Sequence, residues 1–211
     1  MNPLRLLTPV IWFFAILVSA FAAEPPPTRT ILIVGDSLTA GYGLPDPATQ
    51  AYPALLQAKL DALPAPGWRI VNAGVSGDTT SGGLRRIDWV TRQPVAILVL
   101  ALGANDGLRG LPLEMIRANL SAIVAKVRAK NPQVRVLLAG MRMPTSMGDY
   151  ARDYAQLYPA LAQAENWGLV PFLLEDVGGV TEFNQADGIH PNEAGNKIVA
   201  DKVWPHLLVL L

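Results

Sequence analysis

Two segments far apart in the chain carry side chains that could act together as a nucleophile and a base. Asp187-Gly188-Ile189-His190-Pro191 places a carboxylate and an imidazole three positions apart, in a turn held by glycine and proline. The carboxylate could accept the Nδ1 proton of the imidazole, which leaves the other ring nitrogen free to act as a base on a serine. A surface histidine beside a helix-capping carboxylate is the alternative interpretation.

The serine that such a base needs is present in Gly35-Asp36-Ser37-Leu38, directly after an apolar run over 30–34. A serine at a strand-to-helix turn can present its hydroxyl at the sheet edge, with its own N–H at the start of the helix. Ser37 could equally be an ordinary helix N-cap. The segment is not the G-x-S-x-G turn of α/β-hydrolases, and it lacks the G-x-G-x-x-G fingerprint of dinucleotide binding.

Two further segments contain groups that could bind a developing oxyanion. Gly77, within 72–80, would let a backbone N–H approach a ligand without side-chain obstruction, although Gly74 competes for this role. Asn105, in Gly103-Ala104-Asn105-Asp106, could direct its side-chain N–H at the oxyanion. Ordinary turn and capping chemistry is the alternative for both segments.

The composition restricts the chemistry further. The chain has 211 residues, no cysteine and two histidines, which excludes disulfides, iron–sulfur clusters, cysteine nucleophiles and three-histidine zinc sites. The 17 basic and 17 acidic side chains balance, so nothing favours a nucleic-acid partner. The composition therefore leaves few possible pairs of nucleophile and base, and the motifs favour Ser37 with His190.

The amino terminus has the pattern of an export signal. A single charge at Arg5 precedes an apolar run and an A-x-A step that ends at Ala22, which is typical of a secretory signal peptide. We expect cleavage to remove residues 1–22, leaving a proline-rich spacer over 23–28 and a periplasmic or secreted protein with no stable membrane span. A retained anchor is the alternative, because the stretch Leu6–Ala23 carries no charge.

Short apolar runs separated by helical patterns indicate the fold that would position these groups. Runs typical of strands covered on both faces occur at 30–34, 69–73, 95–102, 134–139 and 169–173. Apolar residues at helical spacing occur at 53–63, 113–130, 149–166 and 192–211. This alternation predicts one α/β domain over 29–211, a five-stranded parallel sheet with helices on both faces. Functional groups of such sheets gather beyond the carboxyl ends of the strands.

Together and in this order, the four segments resemble the GDSL, or SGNH, hydrolase family. The matching blocks are Gly35–Leu38, Gly77, Gly103–Asp106 and Asp187–His190. The chain looks like the bacterial periplasmic branch of thioesterases, arylesterases and lysophospholipases, and the likeness spans nearly all of 29–211. The resemblance implies a flavodoxin-like, three-layer α/β/α sandwich.

The resemblance also implies a role for each residue. Ser37 would be the nucleophile, His190 the general base, and Asp187 the carboxylate that orients it. The backbone N–H groups of Ser37 and Gly77 and the side chain of Asn105 would form the oxyanion hole. Hydrolysis through an acyl-enzyme on Ser37 needs no metal and no organic cofactor.

The expected substrate is a small-molecule acyl ester or thioester, and the protein is expected to be a monomer. Leu108 and Leu111, in the glycine-flanked loop after Asn105, would line or cover the acyl site, unless this loop merely connects a strand to a helix. Two other functions stay open: a carbohydrate O-acetylesterase of the same fold, and a non-catalytic protein that binds a small ligand.

Overall fold

Five short, mostly aliphatic strands form one parallel sheet in the computed structural model, which describes residues 29–65 and 67–211. The strands are β1 (Arg29–Gly35), β2 (Trp68–Gly74), β3 (Ile97–Ala101), β4 (Arg135–Ala139) and β5 (Gly168–Val170). They lie in the order β2-β1-β3-β4-β5, and every neighbouring pair is parallel. The predicted five-stranded parallel sheet is confirmed, with the strand order of flavodoxin-like folds.

Helices cover both faces of this sheet. They are α1 (Ser37–Ala40), α2 (Pro47–Gln50), α3 (Tyr52–Asp61), α4 (Thr80–Val90), α5 (Ala104–Leu108), α6 (Leu113–Lys130), α7 (Asp149–Glu165) and α8 (Glu193–Leu208). α3 packs against α8, whereas α6 packs against both α4 and α7. Because crossovers between parallel strands are right-handed, these two groups lie on opposite faces. The expected three-layer α/β/α sandwich is the result.

The central strands and the inward sides of the helices form the hydrophobic core. Every residue of β3 is buried, as are the last five of β1, which explains their uninterrupted apolar sequence. The inward side of α6 is the apolar stripe that its spacing predicts: Ile116, Leu120, Ile123, Val124 and Val127. Apolar periodicity therefore located the core correctly.

The strand β5 and the helix α4 are among the elements that differ from the sequence prediction. β5 ends at Val170 rather than at 173, because Pro171 has no N–H to donate to a neighbouring strand. Apolar spacing does not predict α4, because Ile87 is the one large aliphatic side chain among its four buried residues. A Cβ at Gly83 would overlap the side chain of Leu102, so glycine lets α4 approach the end of β3.

The strand order creates a crevice at one point of the sheet. β1 and β3 are neighbours although β2 lies between them in sequence, so the chain leaves these two strands toward opposite faces. A switch point of this kind opens a crevice beyond the carboxyl ends of the two strands. The segments that follow β1 and β3 carry Ser37 and Asn105.

The signal peptide and spacer expected over residues 1–28 lie outside the described residues. Their boundaries therefore stay predictions. In the part of the chain that the structure does describe, no helix combines the length and the hydrophobicity needed to cross a membrane.

Candidate active site

Ser37 lies in a tight turn where β1 passes into the one-turn helix α1. Asp36 caps this helix, because its Oδ1 accepts a hydrogen bond from the N–H of Leu38 at 3.1 Å. A Cβ at Gly35 would overlap the side chain of Thr39, so the turn can close this tightly only around glycine. Ser37 is left half-buried at the end of a central strand.

The turn Asp187–His190 is organised by one carboxylate. Asp187 Oδ1 accepts hydrogen bonds from the N–H groups of Ile189 and His190, at 2.9 and 3.0 Å, and Oδ2 lies 2.7 Å from His190 Nδ1. Gly188 has a φ of +70°, which glycine adopts without strain. The backbone hydrogen bonds, followed by the bond to the imidazole, lower the pKa of Asp187 to about 2. Its carboxylate is therefore ionised at neutral pH.

The structure brings Ser37, His190 and Asp187 into one hydrogen-bonded chain. His190 Nε2 lies 2.9 Å from Ser37 Oγ, although 153 positions separate the two residues in sequence. With the Nδ1 proton directed at Asp187, Nε2 can accept the hydroxyl proton of Ser37. A nucleophile, a base and an orienting carboxylate at these distances can support acyl transfer.

Gly74 and Gly77, the two candidates for the second block, lie in different surroundings. Gly74 ends β2, its N–H donates to Asn72 Oδ1 at 2.9 Å, and a Cβ there would overlap the backbone of Ala40. Gly77 lies in an exposed turn with a φ of +77°, and no described atom comes within 4 Å of the place its Cβ would take. Gly74 is thus required for packing, and Gly77 stays the predicted oxyanion-hole residue.

Asn105 lies in α5 and contacts the loops that carry Ser37 and Gly77. Its Nδ2 donates to the carbonyl oxygen of Asp78 at 2.9 Å and lies 3.4 Å from Asp36 Oδ2. The second distance exceeds the usual N–H···O range, so this N–H is weakly held and could turn to an oxyanion. The oxyanion-binding role of Asn105 remains a prediction.

Asp36 is a second carboxylate beside the nucleophile, in a very different environment from Asp187. It is 2% exposed, and burial raises its pKa from 3.8 to about 6. The hydrogen bond from the Leu38 N–H and the nearby His190 oppose this rise without cancelling it. The sequence analysis gave Asp36 no role beyond membership of the Ser37 block. Its position next to Ser37 is the one sequence feature that could have identified it as a residue of the site.

Leu108 and Leu111 lie outside the hydrogen-bonded chain of Ser37. The sequence places both in a loop, whereas in the structure Leu108 ends α5 and is 51% exposed. Leu111 is half-buried, and its carbonyl oxygen accepts a hydrogen bond from Tyr150 at 2.7 Å. These contacts do not test a role in binding the acyl group, which stays a prediction.

Two residues to which sequence reasoning gave no role help to frame the site. The ring of Tyr42 lies 4.7 Å from that of His190, centroid to centroid, and is tilted by 46°. Buried Asp106 accepts hydrogen bonds from the N–H and the hydroxyl of Thr80, at 2.9 and 2.6 Å, and so joins the starts of α4 and α5. The place of Tyr42 in the loop after Ser37 could have identified it as a residue near the site. No sequence pattern indicates that Asp106 pairs with Thr80.

Comparison with known proteins gives a consistent result. A model of the GDSL-like lipase/acylhydrolase family matches residues 33–198. Esterase TesA of Pseudomonas aeruginosa is 42% identical over 87% of this chain and 90% of its own length. The thioesterase 1/protease 1/lysophospholipase L1 of Escherichia coli is 36% identical over 95% of this chain and 91% of its own. A crystal structure of TesA, 42% identical, superposes with a TM-score of 0.80 and covers 87% of this chain and 100% of that one.

Proposed function

The chain belongs to the GDSL-like lipase/acylhydrolase family, and from this premise we propose that it hydrolyses carboxylic esters and acyl thioesters with Ser37 as the nucleophile. One observation carries the proposal: the unbroken chain of hydrogen bonds from Ser37 Oγ through His190 to Asp187. Family membership supplies the reaction class, acyl transfer to water. The three residues supply a route for it that uses protein groups alone.

In the proposed mechanism, Ser37 Oγ attacks the carbonyl carbon of the substrate. His190 Nε2 takes the hydroxyl proton as the new C–O bond forms, and Asp187 stabilises the resulting imidazolium. The carbonyl oxygen becomes an oxyanion, which the N–H groups of Ser37 and Gly77 and the side chain of Asn105 bind. Collapse of this intermediate expels the alcohol or thiol, which takes the proton from His190, and leaves an acyl-enzyme.

Water then releases the acid by the same route. His190 removes a proton from a water molecule, and the oxygen of that water attacks the acyl carbonyl. The second oxyanion occupies the same donors as the first. Its collapse breaks the bond to Ser37, returns the proton to Oγ and frees the carboxylic acid.

We propose acyl chains, rather than acetylated carbohydrates, as the substrate class. Four large apolar side chains in the segments at the Ser37 end of the sheet are exposed: Tyr42, Val75, Leu108 and Ile189, at 53, 47, 51 and 56%. Apolar surroundings suit an acyl chain, whereas a sugar needs several convergent polar groups. The name of the Escherichia coli relative, which includes thioesterase and lysophospholipase, agrees with this choice.

The test is labelling with a fluorophosphonate, which reacts with activated serine nucleophiles. We expect the wild type to be labelled and to hydrolyse p-nitrophenyl esters, acyl-CoA and lysophospholipid, and we expect Ser37→Ala to lose both properties. Ser146→Ala, a change at an exposed serine in the turn Thr145–Met147, is the control and should keep both. Labelling that persists in Ser37→Ala would overturn the proposal.

We further propose that residues 1–22 are removed during export, so that the mature protein starts at Ala23 and acts as a monomer in the periplasm or outside the cell. The charge and hydrophobicity pattern of residues 1–22 supports the export and cleavage. Mass spectrometry of the exported protein should find Ala23 at the amino terminus, and light scattering should give the monomer mass. A retained residue 1 would mean that the segment is an anchor.

A further inference from the structure

Arg86 connects the two loops that carry the proposed nucleophile and the proposed oxyanion hole. This residue lies on α4, outside the four sequence blocks. Its Nε donates to Asp78 Oδ2 at 2.7 Å, and its Nη2 donates to the carbonyl oxygen of Gly35 at 3.1 Å. One guanidinium group therefore holds the end of β1 and the loop after β2 in a fixed position relative to each other.

The two partners of Arg86 adjoin the groups proposed for the chemistry. The carbonyl of Gly35 comes two residues before Ser37, in the turn that directs the N–H of Ser37. Asp78 directly follows Gly77, and its carbonyl oxygen accepts the 2.9 Å hydrogen bond from Asn105. Gly77 and Asn105 are thus two covalent or hydrogen-bonded steps from the guanidinium, and Ser37 is three.

The ion pair is shielded and held firmly in place. The side chains of Arg86 and Asp78 are 19% and 10% exposed, so water screens their attraction much less than that of a surface pair. Asp78 Oδ1 also accepts from the N–H of Thr79 at 3.1 Å. A Cβ at Gly82 would overlap Asp78 Oδ1, so the glycine lets the start of α4 lie against this carboxylate. The carboxylate therefore has little freedom to move.

We propose that Arg86 is a positioning residue, which sets the separation between the oxyanion donors on the Ser37 loop and those around Gly77 and Asn105. The inference rests on the proposed hydrolase function. An oxyanion hole works only when its donors lie within hydrogen-bond distance of the oxygen in the transition state. A donor that shifts loses transition-state stabilisation before it loses ground-state binding, so the effect falls on kcat rather than on KM.

The experiment compares Arg86→Met, Arg86→Lys and the control Arg85→Met, a change at the exposed neighbour on the same helix. Hydrolysis of p-nitrophenyl butyrate is measured per active site, counted by complete fluorophosphonate titration, so that misfolded protein does not contribute. Arg86→Met should lower kcat by about 10–100-fold with little change in KM. Arg86→Lys should recover part of this loss, because an ammonium can still pair with Asp78 but lacks the second directed donor. Arg85→Met should match the wild type.

Three results would overturn the inference: a kcat per titrated site within twofold of the wild type in Arg86→Met, a loss confined to KM, or an equal kcat loss in Arg85→Met.

The pair Asp78→Asn and Arg86→Met adds a second test, since the double variant should lose little more kcat than the worse single variant if both act through one contact. Fully additive losses would contradict this. A failure of the proposed function is distinguishable from these results, because hydrolysis would then persist in Ser37→Ala whatever the residue at position 86.

Discussion

The candidate site has a buried half and an exposed half, which the chain builds in different ways. The buried half comprises Asp36, which is buried, and Ser37 and Asn105, which are half-buried; they lie in the segments after β1 and β3, where strand packing determines the geometry. The exposed half is the turn Asp187–His190, which short-range hydrogen bonds hold together. The two halves meet at the bond between Ser37 Oγ and His190 Nε2.

The carboxylates of the two halves show what this difference means. Burial raises the pKa of Asp36 to about 6, because removal from water disfavours its charge. Hydrogen bonds from two backbone N–H groups lower the pKa of Asp187 to about 2, because they favour its charged form. The exposed carboxylate therefore stays ionised to a much lower pH than Asp36 does, which suits a partner that orients His190.

The largest expected effect tests the exposed half. Asp187→Asn should lower kcat by about 10⁴-fold, because an amide N–H facing Nδ1 favours the tautomer whose Nε2 cannot accept from Ser37. Steady-state hydrolysis of p-nitrophenyl esters measures this. Asp201→Asn, which removes a carboxylate from a surface ion pair with Lys59, is the control and should keep full activity. A loss below tenfold would mean that Asp187 does not orient the base.

A second prediction tests the buried half through its oxyanion donor. Asn105→Ala should lower kcat by about 10²–10³-fold with little change in KM, because the lost N–H acts on the charge of the transition state. The same kinetic assay measures both constants. Asn119→Ala removes an amide that donates to Thr80 and Ser81, and it should affect stability rather than kcat. An unchanged kcat in Asn105→Ala would remove this residue from the oxyanion hole.

A third prediction concerns the energetic cost of the buried carboxylate. The folded-state pKa of Asp36, about 6, lies above its ordinary value of 3.8, so between these pH values the native state binds more protons than the unfolded state. The free energy of unfolding should therefore fall as pH rises through this window, by up to about 3 kcal/mol from this group.

Urea unfolding at pH 4 and pH 7 measures this fall, and Asp36→Asn should abolish it, which makes the variant relatively more stable at pH 7. Asp46→Asn is the control, because Asp46 caps α2 but is exposed. If the free energies of unfolding of the wild type and Asp36→Asn differ by the same amount at both pH values, the charge of Asp36 does not destabilise the native state.

The smallest expected effect concerns Leu108, at the end of α5, and Leu111, in the connection to α6. Replacing Leu108 and Leu111 with serine should lower kcat/KM for octanoyl esters about tenfold more than for acetyl esters, because only the longer chain would lose apolar contact. A p-nitrophenyl ester series from two to eight carbons measures the ratio. Leu208→Ser, a change at an exposed leucine at the end of α8, should leave the ratio unchanged. Equal losses on all esters would exclude acyl binding by these two leucines.

The sheet and its main helices could be predicted because their residues face the core in simple repeats. β3 is apolar throughout because both of its faces are covered, and α6 buries its apolar residues at helical spacing. Apolar spacing did not reveal α4, because glycines and a threonine form most of its buried face. Close approach of backbones leaves no hydrophobic pattern to recognise.

The sequence by itself determined the fold class, the family resemblance and the identity of the nucleophile and base candidates, because these depend on local patterns of residues. Only the tertiary structure decided which distant groups meet: Ser37 with His190, Asn105 with Asp78, and Arg86 with Gly35. It also decided the raised pKa of Asp36, whereas the lowered pKa of Asp187 comes mainly from hydrogen bonds within its own turn. The long-range contacts and the burial of Asp36 depend on segments that the sheet brings to one edge, and no local pattern encodes them.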